Sequence, residues 1–214
     1  KRQIREEVLD EISAGDGRVV AVLSRNSYGA TVLNSDTVLF GDIDVPETGV
    51  LARLLEKFGR RKKDKDYYLA KIRLYQENNP GYTFRVYETR AGLRFVIINR
   101  VFEADSGQVG SLFADLGVDP LYMQLCKHQT CFRARLTPKP WRIGVDRPDS
   151  RFPRESRSDR NAFEDWLRTY RAASVKVSVV RHLATFGFDP VHPDVDRVVA
   201  VHDRHASHGH AGLA

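Results

Sequence analysis

Two acidic residues at the end of an apolar segment are the first candidates for chemistry in this sequence. Asp42 and Asp44 lie near the end of the run from Leu39 to Val45, whose other side chains are mostly apolar. If this run is a strand, its two-residue repeat places both carboxylates on one face. Two carboxylates so close repel each other unless a cation lies between them, and Mg²⁺ or Mn²⁺ is the usual cation. The alternative is a solvated strand edge that ends in a turn at Val45 and Pro46.

The repulsion between these two carboxylates predicts how the protein responds to a substitution and to metal. Because two negative charges in a small volume oppose folding, we expect Asp42→Asn to leave the metal-free protein as stable as the wild type, or to make it more stable. For the same reason we expect Mn²⁺ or Mg²⁺ to stabilise the wild type.

The second candidate is a turn that leads basic residues into an apolar strand. Thr89 and Arg90 occupy the turn, and Arg94 follows between Leu93 and Phe95. Since neighbouring strand residues point to opposite faces, Arg94 points away from these two apolar side chains and needs an anionic partner if its face is covered. That partner is either a phosphate of a ligand or one of the two carboxylates described above, and the residues favour neither.

The third candidate is a basic strand face followed by an aromatic residue. Arg133 and Arg135 alternate with apolar residues, so the two arginines share one face. Lys139 and Arg142 follow directly, and Trp141 between them offers a surface on which a base can stack. Cations beside an aromatic ring are what contact with phosphates and bases requires.

A third carboxylate for a metal site is Asp119, which directly precedes Pro120. An Asp-Pro pair is also an ordinary beginning of a helix, with Asp as the N-cap and Pro at the first helical position. Asp115 and Asp146 compete with Asp119 for the same role.

Taken in chain order, these segments resemble the archaeo-eukaryotic primase superfamily, which includes primase-polymerases and the polymerase domains of bacterial end-joining ligases. The family pattern is an Asp-x-Asp at a strand end, a glycine-containing turn into a strand with a basic residue, a third acidic residue and an arginine-rich strand. The corresponding residues here fall within residues 36–139, and Arg94 stands where the family usually has histidine. They are Asp42 and Asp44, Thr89 to Arg94, Asp119, and Arg133 to Lys139.

The resemblance implies a fold, a reaction and ligands. It implies a split β-α sheet like that of RNA-recognition modules, with two-metal phosphoryl transfer on nucleic acid from nucleoside triphosphates. The catalytic and metal-binding residues would be Asp42, Asp44 and Asp119, and the cofactor Mg²⁺ or Mn²⁺. The nucleotide- and phosphate-binding residues would be Thr89, Arg90, Arg94, Arg133, Arg135 and Lys139.

Two other function classes fit the same residues. One is a non-catalytic nucleic-acid-binding or interaction module that presents a basic sheet face. The other is a metal-dependent nuclease, because hydrolysis and transfer share metal geometry. Convergence of three acids near Arg94 would favour an enzyme, whereas an Arg94 that neutralises the carboxylates itself would favour a binding role.

Composition and charge set outer limits on function. The chain has 214 residues, 42% hydrophobic and 29% charged, with a formal net charge of +6. A basic protein favours polyanionic partners. The longest apolar runs are strand-sized, so we expect no membrane partner.

The cysteines bear on the compartment. Cys126 and Cys131 form neither a disulfide framework nor a zinc motif, and we expect no secretion signal. We therefore expect the protein in a reducing cytoplasm.

The elements that position these candidates are predicted by periodicity and turn residues. We expect a helix up to residue 14, then three strands in an antiparallel meander at 19–23, 30–33 and 37–45. Helices are predicted from 48 onward and over 68–75, 108–116 and 121–128, and a hairpin over 82–99. A strand over 131–136, a loop over 138–159, a helix at 163–170, a strand at 175–180 and a short helix around 195–199 complete the pattern.

Strands grouped before and after a helical insertion indicate an α+β fold with a mixed, largely antiparallel sheet. We expect a primase-polymerase-like core over 1–145. Residues 146–214 would form a loop and a helix-strand-helix extension that packs on the same unit. The histidines after Val201, at 202, 205, 208 and 210, suggest a frayed tail that binds metal adventitiously.

Overall fold

The structure, a computed structural model, describes residues 6–45, 63–209 and 211–214. The helix predicted from residue 48, the basic residues 60–62 and the last of the tail histidines lie outside these ranges. The described elements, in chain order, are β1 (Glu7–Ser13), β2 (Val19–Arg25), β3 (Thr31–Ser35), β4 (Phe40–Asp44), α1 (Lys65–Asn78), β5 (Phe84–Thr89), β6 (Gly92–Ile97), α2 (Gly107–Leu116), α3 (Pro120–Gln129), β7 (Phe132–Arg135), a 3₁₀ turn (Pro140–Arg142), α4 (Arg157–Ser174), β8 (Val180–Phe186) and α5 (Pro193–Ala206).

The strands form two four-stranded antiparallel sheets. The strand order is β1-β2-β3-β7 in the first sheet and β4-β6-β5-β8 in the second. Buried apolar residues from both sheets and from α1, α2, α3 and α5 belong to one contiguous cluster. The α+β class and the antiparallel pairing predicted from the sequence are therefore confirmed, with the strands divided between two sheets.

The first element is a strand, so the prediction of an opening helix is wrong. The pairing of β1 with β2 shifts register between Val8 and Asp10, which marks a β-bulge. A bulge adds a residue to one strand and breaks its two-residue alternation. The apolar side chains at Val8, Leu9 and Ile12 therefore fall at the spacing of a helix although the segment is an edge strand.

The predicted three-stranded meander is correct for β2 and β3 but not for the strand that follows. The hydroxyl of Ser35 accepts hydrogen bonds from the backbone N–H groups of Thr37 and Val38. This turn directs the chain out of the first sheet, and β4 begins at Phe40 at an edge of the second one. The Asp42 and Asp44 strand therefore pairs with β6 and not with β3.

The hairpin of β5 and β6 forms as predicted, and β8 pairs with its outer strand. The strand expected at 175–180 lies further along the chain, because α4 continues to Ser174 and β8 begins only at Val180. The C-terminal part of the chain thus supplies the fourth strand of the second sheet. Among the described residues, no helix is long and apolar enough to cross a membrane.

Candidate functional site

The pairing of β4 with β6 positions the first two candidates. Asp42 lies opposite Arg94, and Asp44 lies opposite Gly92. Ile43 between the two acids is buried, so both carboxylates lie on the other side of the strand, as predicted. Gly92 allows the close approach of the strands, because a Cβ there would lie 1.9 Å from the carbonyl oxygen of Ile43.

Arg94 is a fully buried cation that pairs with Asp42. Its side chain is 2% exposed, and that of Asp42 is 31% exposed. Nε donates to Oδ1 at 2.7 Å and Nη2 donates to Oδ2 at 3.0 Å, so the guanidinium engages both carboxylate oxygens. The anionic partner that the sequence required for Arg94 is therefore a carboxylate of the same chain.

His202 completes the surroundings of Arg94 and was not identified from the sequence. Nη1 of Arg94 donates to the carbonyl oxygen of Arg135 at 2.9 Å and lies 3.3 Å from Nε2 of His202. Because Nη1 is a donor, Nε2 must accept, which makes the imidazole neutral with its proton on Nδ1. Nδ1 lies 2.9 Å from Oδ1 of Asp203, which accepts that proton's hydrogen bond.

Asp203 gathers the remaining members of this buried network. The Tyr87 hydroxyl donates to Oδ1 at 2.7 Å, and Nη2 of Arg85 donates to Oδ2 at 2.7 Å. Burial by itself would raise the pKa of Asp203, but the hydrogen bonds from His202 and Tyr87 outweigh it and hold that pKa below its usual value. Burial, followed by the nearby charge of Arg94, lowers the pKa of His202.

The sequence did contain a signal for His202. It follows Val195, Val198 and Val199 at the spacing of one helical face, and all three valines are buried in α5. A histidine on the apolar face of a helix is buried with it, so the prediction of a frayed tail from Val201 is wrong. The side chain of His202 is 0% exposed.

The three carboxylates proposed as metal ligands are near one another but are differently engaged. Asp119 is the N-cap of α3 and accepts from the backbone N–H groups of Leu121 and Tyr122 at 3.3 Å each. Its own N–H donates to the carbonyl oxygen of Asp42. Burial, and then the charges of Asp42 and Asp119, raise the pKa of Asp44.

This donor set is largely engaged within the chain. Arg94 occupies both oxygens of Asp42, and both oxygens of Asp119 cap a helix, which leaves Asp44 as the acid without a hydrogen-bond partner among the described residues. Mg²⁺ requires several oxygen ligands in near-octahedral geometry. Within the described ranges, no three acidic, histidine or cysteine side chains form a group that could hold a metal ion.

Four basic side chains without carboxylate partners in the described ranges lie near one another, and two of them, Lys139 and Arg142, act on Asp44. We call them the basic cluster: Arg90, Arg135, Lys139 and Arg142. Burial, and then the charges of Arg135 and Arg142, lower the pKa of Lys139. Burial, and then the charges of Arg135 and Arg90, lower the pKa of Arg142, while Asp44 acts in the opposite direction. The four cations are thus close enough to repel one another.

Arg135 is the member of the basic cluster with an unmet hydrogen bond. Its Nε is buried and has no acceptor among the described residues. Buried polar groups in folded proteins are nearly always hydrogen-bonded, so such a donor requires an explanation. An anionic ligand beside Arg135 would supply the missing acceptor.

The remaining sequence candidates have partners within the chain. Both oxygens of Glu6 accept from Nη2 of Arg133, at 2.6 and 2.8 Å. The hydroxyl of Thr89 accepts from the backbone N–H of Gly92 and so closes the hairpin turn. Arg133 and Thr89 are therefore engaged within the chain, whereas Arg142 belongs to the basic cluster.

An open cleft adjoins the basic cluster. It has a volume of about 560 Å³, and its lining includes Tyr28, Asp42, Tyr122, Arg133 and Arg135. Its position follows from the pairing of β3 with β7, because Val32 lies opposite Arg135 and Asn34 lies opposite Arg133. The two arginines therefore share the face of the first sheet that looks into the cleft, as their alternation predicted.

Trp141 provides an aromatic surface next to this cleft. Its side chain is 45% exposed, and the edge of Tyr28 approaches it with ring centroids 5.3 Å apart. The guanidinium of Arg147 lies 4.5 Å from the Trp141 ring centroid and the ammonium of Lys139 lies 5.8 Å from it. A partly exposed indole ring held between cations is suited to stacking with a base.

Comparison with known proteins adds no further assignment. No family model matches the chain, and no curated protein or solved structure is significantly similar to it.

Proposed function

We propose that the protein binds single-stranded nucleic acid in the cleft beside β4 and β7, as a non-catalytic module. The observation that carries this proposal is the basic cluster, whose cations have no carboxylate partners in the described ranges although burial and repulsion disfavour the charges of Lys139 and Arg142 and the buried Nε of Arg135 has no acceptor. Backbone phosphates relieve both penalties at once, because they neutralise the cations and accept their hydrogen bonds.

The strand carboxylates support a binding role over catalysis. A metal-dependent transferase needs acids that are free to ligate, but Arg94 neutralises Asp42 with two hydrogen bonds. Trp141 supports single strands over duplex, since bases must be unstacked before they stack on an indole ring. Stacking also tolerates every base, so we expect little sequence preference.

Fluorescence anisotropy with a labelled oligothymidylate tests this proposal. We expect binding that weakens with salt in the wild type, and a flatter salt dependence in the double variant Arg135→Gln, Lys139→Gln, by about two phosphate contacts. The matched control is Arg157→Gln, Lys176→Gln, which removes the same two residue types outside both the cleft lining and the basic cluster. Equal slopes in the two double variants would remove the cleft from the proposal.

Metal-dependent nucleotidyl transfer, as the primase resemblance implies, is the second candidate. The specific observation in its favour is that Asp42 and Asp119 are both close enough to act on Asp44, whose pKa is raised by burial and then by their charges. A bound Mg²⁺ or Mn²⁺ would neutralise this concentration of negative charge.

A nucleotide-incorporation assay with Mn²⁺ and Mg²⁺, on primed and unprimed templates, separates the two candidates. Incorporation that is lost in Asp44→Asn but kept in the control Asp165→Asn would favour the enzyme. Oligonucleotide binding without incorporation supports the binding module, and template degradation in the same assay would indicate a nuclease.

A further inference from the structure

A second cavity lies away from the cleft, and none of the functions considered above uses it. It has a volume of about 470 Å³ and is enclosed by β1 and β2, by α4 and by the C-terminal end of α5. Cavities of about 300–1,000 Å³ are the usual size for small-molecule sites. The cavity is therefore large enough for a small organic ligand.

Part of the lining of this cavity is apolar. Leu23 is buried in β2, and Leu167 of α4 also lines the cavity. The buried Arg25 in the same lining is already paired with Glu7. Leu9 and Val175 also line the cavity but are 37% and 65% exposed. Apolar side chains left exposed around a concavity are stabilised when an apolar ligand covers them.

The rim of the cavity is cationic. Arg171, Arg204, His205 and His208 line it, against the single carboxylate of Asp10. In the described ranges, none of these four basic side chains is in an ion pair or a side-chain hydrogen bond, in contrast to Arg18 and Arg181 elsewhere on the surface. The rim thus has several donors and net positive charge.

Two helix ends meet at this rim. Arg171 lies in the last turn of α4, and Arg204 and His205 lie in the last turn of α5. The dipole of each helix favours cations at its own C-terminus, which accounts for each residue taken alone. The helix dipole does not account for the convergence of these residues, which brings like charges together. Burial, and then the charges of Arg204 and His208, lower the pKa of His205.

We propose that this cavity binds a small apolar molecule that carries one carboxylate. The apolar lining would receive the hydrocarbon part, and the arginines at the rim would pair with the carboxylate. A guanidinium engages a carboxylate through two parallel hydrogen bonds, which favours this anion over a neutral polar group. The inference does not depend on the proposed nucleic-acid function, because it involves a different cavity and different cations.

Isothermal titration calorimetry with octanoate tests this inference on the full chain. We expect one saturable site for octanoate, weaker binding of octanol, and no binding of octylamine, whose charge has the wrong sign. Heat from octylamine equal to that from octanoate would show that the rim charge is irrelevant and would overturn the proposal, as would the absence of octanoate binding at millimolar concentration.

Two exposed arginines provide the decisive variant. Arg171→Gln together with Arg204→Gln should weaken octanoate binding about tenfold or more, because both proposed carboxylate partners are lost. The matched control is Arg168→Gln with Arg197→Gln, which changes the same helices by the same charge outside the cavity lining. The inference fails if both double variants bind octanoate as the wild type does.

A third variant and a second ligand separate this site from the cleft. Val175 is exposed, so Val175→Glu should fold normally and should weaken octanoate binding by bringing a carboxylate to the rim. The Arg171→Gln, Arg204→Gln protein should bind oligothymidylate as the wild type does. A loss of oligonucleotide affinity as large as that of octanoate would assign these arginines to the nucleic-acid surface and overturn the inference.

Discussion

Arg94 on β6 and Asp42 on β4 lie directly opposite each other and join through two hydrogen bonds, with the guanidinium buried and the carboxylate one-third exposed. Among the described residues, Asp42 is the ion-pair partner of Arg94. This relationship changes what the two acids of β4 are expected to do. Asp42 neutralises a buried cation, whereas Asp44 has no such partner: partial burial, and then the charges of Asp42 and Asp119, raise its pKa.

We predict that Asp42→Asn and Asp44→Asn have opposite effects on stability. Asp42→Asn leaves a buried arginine without its counter-charge and should lower the free energy of unfolding by about 3 kcal/mol or more. Asp44→Asn removes repulsion at an exposed position and should change it by less than about 0.5 kcal/mol, towards greater stability. Urea unfolding at neutral pH in EDTA measures both. The expectation from the sequence that Asp42→Asn would be neutral or stabilising considered only the repulsion from Asp44, and an Asp42→Asn protein at least as stable as the wild type would support it.

Stability should decrease when the pH falls below about 6.5, the ordinary pKa of histidine. The folded protein holds His202 neutral with a lowered pKa, so the unfolded chain takes up the proton first as the pH falls. The contribution of His202 is therefore complete above the unfolded pKa and is lost as the pH falls towards the folded one. His182 and His205 have lowered pKa values as well and act in the same direction.

Thermal melts between about pH 7.5 and 5.5 measure this effect. His202→Gln keeps an acceptor near Arg94 but does not titrate, so its melting temperature should depend less on pH than that of the wild type. The control His205→Gln should retain most of the dependence, because His205 is exposed. A His202→Gln protein with the full pH dependence would contradict the assignment of a neutral His202.

Arg133 and Arg135 share a sheet face but should differ in nucleic-acid binding. Glu6 already neutralises Arg133, whereas Arg135 has no carboxylate partner among the described residues. Arg135→Gln should therefore reduce the salt dependence of oligothymidylate binding by about one phosphate contact, and Arg133→Gln should reduce it by less. Anisotropy titrations from low to moderate salt measure the slopes. A larger effect of Arg133→Gln would mean that the ligand displaces Glu6.

Trp141→Ala tests the stacking contact separately from charge. The substitution should weaken binding of a single strand by about 1–3 kcal/mol, the range found for base stacking on aromatic residues. The salt slope should stay unchanged, because no phosphate contact is lost. Trp166→Ala is not a suitable control, since its ring packs against the backbone at Gly29. Phe188→Ala, at a fully exposed aromatic side chain, is the better one.

Deletion of residues 201–214 should unfold the protein and not merely remove a tail. His202 and Ala206 are both 0% exposed, and the carbonyl oxygen of Ala206 accepts a hydrogen bond from the N–H of Val179. Ala214 is also buried, and its N–H donates to the carbonyl oxygen of Ser178. Circular dichroism of the truncated chain should show loss of the cooperative melt. A truncated protein that melts as the wild type does would show that the part of α5 from Val201 onward is dispensable.

Because deletion of residues 201–214 is expected to unfold the protein, it cannot be used to remove the C-terminal histidines before metal binding is measured. Exposed histidines near the C-terminus must be removed by substitution, as in His205→Gln with His208→Gln, while His202 is kept. A rise in melting temperature with Mn²⁺ that persists in this variant and disappears in Asp44→Asn would support the metal-dependent candidate.

Features that depend only on neighbouring residues could be predicted from the amino-acid sequence. The β5–β6 hairpin, the placement of Asp42 and Asp44 on one side of a strand, and the N-cap role considered for Asp119 all follow from short-range geometry. Alternation, turn residues and caps act within a few positions, so they are visible in the chain without knowledge of its fold.

The tertiary structure decided which of these residues meet. Arg94 finds Asp42 at a separation of 52 residues and His202 at a separation of 108. The pairing of Arg94 with Asp42 neutralises Asp42, whereas Asp44 and the basic cluster have no such partner among the described residues. The spacing of the two acids in the sequence does not reveal this difference. The prediction of a helix at β1 failed for a related reason. The β-bulge gives the apolar residues of β1 a helical spacing, and the strand conformation is stabilised by pairing with β2, which is not visible in the local sequence. Strand register and helix packing determine which distant residues come into contact. Both depend on the whole core, so no local sequence pattern specifies these contacts.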